Sequence, residues 1–140
     1  MFKLYPILTR LELPFFSYRV RAGFPSPADD YLDKKLDLNE HLIHHPSATY
    51  YVRAQGDSMI NFGIFDGDLL VVDRSLAPVH GDIIIAAING ELTCKVLDLT
   101  HRQLLSGNDL FPPIPLTEDC DLIIEGVISA SIRYHRVCIN

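Results

Sequence analysis

Two residues of this chain have the side-chain types of a minimal hydrolytic pair. Ser58 stands in Gly56-Asp57-Ser58-Met59, just after a strand-like run. Lys95 closes the stretch Glu91-Leu92-Thr93-Cys94-Lys95. A serine hydroxyl becomes a competent nucleophile when a neighbouring base takes its proton, and lysine is such a base only as the neutral amine. Burial disfavours the ammonium and draws its pKa down from about 10.4. Ser58 is therefore read as a candidate nucleophile and Lys95 as its candidate general base. If a helical turn starts at Ser58, the backbone N–H groups of Ser58 and of its neighbour Asp57 offer a place for a developing oxyanion. Two plainer readings stay open on these residues alone: Ser58 as a helix N-cap, and Lys95 as a solvated strand lysine with its stem over Ile84.

Other nucleophile patterns are absent. The residues around Ser58 do not spell G-x-S-x-G, and Met59, Ile60 and Asn61 rule out S-x-x-K. Of the six histidines, His80 is the best partner for a His-assisted serine, and it sits in no telling motif. His41, His44 and His45 cluster without a nearby cysteine or carboxylate pattern, so no metal site and no cofactor are expected.

A nucleophile needs a bond to attack. Phe16, Tyr18, Val20 and Ala22 alternate with Ser17, Arg19 and Arg21, the period-two pattern of an extended segment with one apolar side. The segment ends at Ala22-Gly23, ahead of Phe24-Pro25-Ser26-Pro27. An edge strand leading into a proline-rich linker accounts for this. So does a peptide built to lie in a cleft, since clefts grip extended backbone by strand addition and small residues let a nucleophile reach the carbonyl. On the second reading Ala22-Gly23 is the cleavage site, and residues 1–22 form an arm removed from a domain spanning 23–140.

The rest of the chain must position these groups. A short helix is expected from Ser26 or Pro27 through Leu32. Asp37-Leu38-Asn39-Glu40 resembles a capping box that opens a second helix running to about His45. From Ala48 the chain reads as strand: Thr49 to Ala54, Leu69 to Val72, Ile83 to Ile88, Gln103 to Leu105 and Leu122 to Tyr134. Asn89-Gly90 is the strongest short-range hairpin signal available. A two-residue loop there pairs Ile88 with Glu91, Ile85 with Cys94 and Ile84 with Lys95. Ile83, Ile85, Ala87, Leu92, Cys94 and Val96 then form one wholly apolar face, expected to be core. Lys95 shares the other face with Ile84, Ala86, Thr93 and Leu97. The fold class is mostly β, a small barrel-like or sandwich domain with short helices near its entry.

Composition narrows the partners. The chain has 140 residues and a net charge of −6, which argues against direct DNA binding through clustered Lys and Arg. Three cysteines without CxxC spacing fit a reducing cytoplasm. No run approaches the roughly 18 apolar residues of a membrane span, and Arg10, Glu12 and Pro14 spoil a signal peptide.

Several separate stretches, in one order, closely resemble a known family. They are GFPSPADDY at 23–31, HPSATY at 45–50, GDSMI at 56–60, DGDLL at 66–70 and HGDI at 80–83. Together they resemble UmuD/LexA self-cleaving Ser-Lys peptidases. The similarity is dense from Gly23 to Leu97, looser through the C-terminal third and sparse before Phe15. It implies a LexA-like, signal-peptidase-like β domain that forms homodimers, with Ser58 as nucleophile, Lys95 as general base and Ala22-Gly23 as the scissile bond. Cys94 departs mildly from the pattern beside the lysine. The resemblance further implies cleavage promoted by RecA filaments on single-stranded DNA, followed by translesion synthesis with a UmuC-like polymerase. A LexA-type repressor would need a DNA-binding domain ahead of the cleavage site, and a signal peptidase would need a membrane anchor. A catalytically silent polymerase accessory of the same fold is the remaining alternative.

Overall fold

The structure is a computed structural model that describes residues 10–16, 19–20 and 32–136. The chain divides into two compact units, residues 1–44 and 45–140. Among the described residues no helix is long and apolar enough to cross a membrane.

In the first unit, β1 (Leu13–Phe16) pairs antiparallel with β2 (Leu32–Leu36), and α1 (Leu38–Leu42) follows. Asp37 caps α1 by accepting from the Asn39 backbone N–H at 2.9 Å, as its short acceptor side chain favours. The helix stops three residues before the expected His45. The Ile43 N–H bonds back to Asn39, and residues 46–48 form a separate 3-10 turn opened by Pro46. Leu32 starts a strand instead of ending a helix. The other residues of that expected helix, and Ser17, Tyr18, Arg21, Ala22 and Gly23, lie outside the described residues. Of the alternating segment, Phe16 ends β1, while Arg19 and Val20 are exposed and outside any strand.

The second unit is a seven-stranded antiparallel sheet. Its strands are β3 (Thr49–Arg53), β4 (Leu69–Asp73), β5 (Ile83–Ile88), β6 (Glu91–Asp98), β7 (Gln103–Leu105), β8 (Ile114–Pro115) and β9 (Leu122–Ile132). They lie in the order β3-β4-β9-β5-β6-β7-β8. β9, the last in sequence, therefore sits at the middle of the fold and joins β4 to β5. The β5–β6 hairpin has the expected register throughout, from Ile88 with Glu91 to Ile83 with Val96. Asn89 and Gly90 both take positive φ, 50° and 86°. That is the turn whose twist matches paired strands and which Asn-Gly supplies at least steric cost.

Both faces of this sheet are covered. One packs Met59, Ile64, Leu70, Val72, Ile85 and Val96, and the other packs Ile84, Ala86, Leu97, Leu104 and Val127. The face that carries Lys95 is therefore as much core as its opposite. Leu92 corrects the sequence reading: assigned to the apolar core face, it is 69% exposed. It lies near the hairpin tip, where β6 pairs with β5 alone, because β7 reaches only Val96 to Asp98.

Candidate active site

Ser58 reaches its place through a tight turn out of β3. Gly56 has a φ of +86°, a left-handed conformation that side-chain-bearing residues rarely adopt. Its N–H donates to Asp66 Oδ1 at 2.8 Å, which ties the turn to the loop before β4. The expected helical turn begins later than anticipated, as a single 3-10 turn over Ile60–Phe62. Ser58 is thus not its N-cap, and the hydroxyl is left for other work.

A second clamp holds the far side of this loop. The Gly107 N–H donates to the Ser58 carbonyl, and the Asn61 N–H donates to the Gly107 carbonyl at 2.7 Å. Asn108 Nδ2 donates to the Asp57 carbonyl at 3.1 Å. The approach at Gly107 is close: a β-carbon there would stand 2.5 Å from Phe62 Cδ2 and 2.9 Å from Met59 Cα. Sequence reasoning passed over Gly107 and Asn108, and it placed Asp66 in a motif without a role in holding Ser58. The available signals were turn composition, in Ser106-Gly107-Asn108-Asp109 and Asp66-Gly67, and composition does not say what a turn holds.

Lys95 comes from β6, carried by the hairpin. Its Nζ donates to Ser58 Oγ at 3.3 Å and to the Cys94 carbonyl at 3.2 Å. Lys95 is only 7% exposed. Burial lowers its pKa, opposed by a weaker pull from Cys94. That pull requires a thiolate, and burial pushes the Cys94 thiol up to about 11, so at neutral pH the neighbour is uncharged. The sequence-predicted pair thus stands in hydrogen-bond reach, with the amine in surroundings that lower its pKa.

A cleft of about 330 Å³ opens beside Ser58. One wall is Val52 to Gly56, the other is Leu92 to Cys94, and Met59, Ile64, Leu70 and Ile85 form its apolar lining. Lys95 does not line the cleft and touches it through its hydrogen bond to Ser58. Leu97 uses its N–H and carbonyl toward the β5 side, to Asp82 and Gly81. By strand alternation Leu92 and Cys94 direct theirs to the opposite edge, which β7 leaves unpaired at that level. Among the described residues no hydrogen bond occupies the backbone N–H of Asp57 or Ser58.

The histidines are engaged elsewhere. His45 Nδ1 lies 2.6 Å from Asp73 Oδ2, and His80 Nδ1 accepts from the Leu99 N–H at 3.1 Å. His101 Nδ1 lies 2.9 Å from Asp98 Oδ2. Hydrogen bonds from Ser75 and His45 overcome burial and hold Asp73 at about 2. Bonds from Gln103 and His101 do the same for Asp98. These carboxylates fasten the ends of β4 and β6. Among the described residues no group of three His, Cys, Asp or Glu side chains is placed to hold a metal ion.

Comparison with known proteins identifies the family. Residues 14–129 match the family described as Peptidase S24-like. The chain is 45% identical to Protein MucA of Salmonella typhimurium over 92% of its own length and 90% of that protein's. It is 48% identical to Protein SamA of Salmonella typhimurium strain LT2, covering 88% and 86% of the two chains. A LexA repressor from Alcanivorax borkumensis is 38% identical over 87% of this chain, which spans 59% of the repressor. The mostly β fold and the resemblance read from the sequence motifs both hold, and the chain belongs to the peptidase S24-like family.

Proposed function

We propose that this chain is a self-cleaving serine peptidase of the SOS mutagenesis response, with Ser58 as nucleophile, Lys95 as general base and Ala22-Gly23 as the bond cut. The observation that carries the reading is Lys95 Nζ at 3.3 Å from Ser58 Oγ on a side chain almost wholly removed from water. Such a lysine is poised for base chemistry, and a purely structural pair has no need of it.

The arm ending at Ala22 docks as an extended strand in the cleft, where the unpaired edge at Leu92 and Cys94 offers main-chain partners. Docking shuts water out of the cleft around the Ser58–Lys95 contact and so disfavours the ammonium further. Lys95 takes the Ser58 hydroxyl proton as Oγ bonds to the Ala22 carbonyl carbon. The oxyanion sits against the free N–H groups of Ser58 and Asp57. The carbon–nitrogen bond to Gly23 breaks, and the new amine takes the proton from Lys95. Water, deprotonated by Lys95, then hydrolyses the Ala22 ester and frees Ser58. Residues 23–140 remain as the working form.

Single-stranded DNA filaments of RecA promote the docking, and the shortened chain works as a homodimer with a UmuC-like translesion polymerase in the cytoplasm. The net charge of −6 fits a role in which RecA and the polymerase hold the DNA. Relatives named MucA and SamA, matched over most of the chain, support placing it with this group.

Mass spectrometry after incubation at a pH of about 10, where more lysine is neutral, tests the reading directly. A product starting at Gly23 is expected, and none from Ser58→Ala or Lys95→Ala. A wild-type chain that stays whole even with RecA filament would leave the silent polymerase accessory as the better description.

A further inference from the structure

The loop that presents Ser58 is fixed by its carbonyls, and this has a stereochemical effect on the site. The described peptide bonds are trans, so the N–H of Ser58 points opposite to the carbonyl of Asp57 in one planar unit. Whatever grips the Asp57 carbonyl therefore aims the Ser58 N–H. That grip is Asn108 Nδ2, at 3.1 Å. Asn108 is itself locked, because its Oδ1 accepts from the Leu110 N–H at 3.0 Å and its backbone carbonyl accepts from the Phe111 N–H at 3.0 Å. Its amide has one orientation that satisfies both contacts, with oxygen toward Leu110 and nitrogen toward Asp57. A hydrogen bond on a peptide carbonyl also polarises the unit, which makes the N–H on its far side a better donor.

We propose that Asn108 is a positioning residue for the self-cleavage reaction, aiming and strengthening the Ser58 N–H as an oxyanion donor through its hydrogen bond to the Asp57 carbonyl. The inference rests on Ser58 being the nucleophile. Asn108 touches neither Ser58 Oγ nor Lys95, and it lies 13 positions beyond Lys95 on the far side of β7. Its loss acts on the transition state and leaves the base alone.

The test compares Asn108→Asp with wild type across the pH–rate profile of self-cleavage. Aspartate keeps the acceptor for Leu110 and removes the donor to Asp57. The high-pH plateau is expected to fall by about tenfold to a hundredfold, toward the loss seen when an oxyanion donor is removed or misplaced. The midpoint of the profile, which reports Lys95, is expected to stay where it is, and the melting temperature is expected to change little. A plateau within twofold of wild type overturns the proposal, as does a plateau loss that tracks the unfolded fraction. If wild type itself does not cut, or Ser58→Ala cuts equally well, the reading of Ser58 fails on its own account. The amide resonance of Ser58 decides the positioning claim even then: it shifts in Asn108→Asp if the grip is real, and an unmoved resonance overturns it.

Discussion

The two compact units differ most in what they hide from water. Every buried apolar residue among the described ones belongs to residues 45–140, where twelve such side chains lie between Met59 and Val127 and all but Val71 belong to the two cores. Residues 1–44 contain no buried described residue. β1 presents Leu13, Phe15 and Phe16 at 54%, 38% and 43% exposure, with Leu13 paired to Leu36, Phe15 to Lys34 and Phe16 to Leu32 of β2. Each unit thus answers a different demand. The sheet unit holds its candidate pair to the tolerance of packed side chains, with Lys95 Nζ 3.3 Å from Ser58 Oγ. The first unit has little of its own to lose if part of it is cut away.

The contrast can be broken at its strongest point first. Ser58→Ala is expected to abolish self-cleavage while the melting temperature stays close to that of wild type, since Ser58 makes no contact that the sheet depends on. Unfolding of that variant on mixing would show that the site and the fold are not separable. Next in size is Gly107→Ala. The added carbon meets Met59 backbone at 2.9 Å, which the loop cannot yield cheaply. A loss of about 1–3 kcal/mol in chemical denaturation is expected, in the range of overpacked interiors, together with slower cleavage. Unchanged stability would mean that the clamp is looser than its contacts indicate.

Lys95→Met gives an effect of opposite sign. The folded lysine has a lowered pKa, so between that value and the ordinary one the unfolded chain binds more protons, and wild-type stability climbs with pH. Methionine removes the buried ammonium and is expected to stabilise the chain at neutral pH, read as a higher midpoint in chemical denaturation. The gain should close as pH approaches about 10.5, and a gap that is flat with pH would refute burial as the cause. The smallest effect expected is from deleting residues 1–22, which should leave the melting temperature of the sheet unit within a few degrees of the full chain. A fall of tens of degrees would place real stability in the arm. In acid the sheet unit should weaken as pH drops from near 4 toward 2. Asp73 and Asp98, both held at about 2, then lose the hydrogen bonds that fasten β4 and β6.

How far the sequence carried depends on how local each feature is. The β5–β6 register was readable because Asn89-Gly90 dictates its own turn and the pairing follows by counting. The Asp37 cap was readable for the same reason, although the helix ended at Leu42 once Pro46 imposed its own turn. What stayed hidden was long-range. Nothing near Leu122 says that β9 inserts between β4 and β5. Nothing near Gly107 says that it grips Ser58. The exposure of Leu92 depends on where β7 stops, a fact that periodicity in β6 cannot contain. Within the candidate site, Ser58 and Lys95 were singled out from their types and motifs, and the backbone that orients them was not.

The place of β9 between β4 and β5 bears on how the candidate site is assembled. β3 and β4, which flank the Ser58 loop, and β5 and β6, which bring Lys95, are joined in one sheet through β9, which follows all four in sequence. Until β9 pairs with both, the strands around Ser58 and the strands around Lys95 share no sheet, and the bonds from Gly107 and Asn108 to the Ser58 loop are the other tie between the two sides. The meeting of Ser58 with Lys95 thus depends on contacts that are all distant in sequence, which makes it a late event in the folding of this unit.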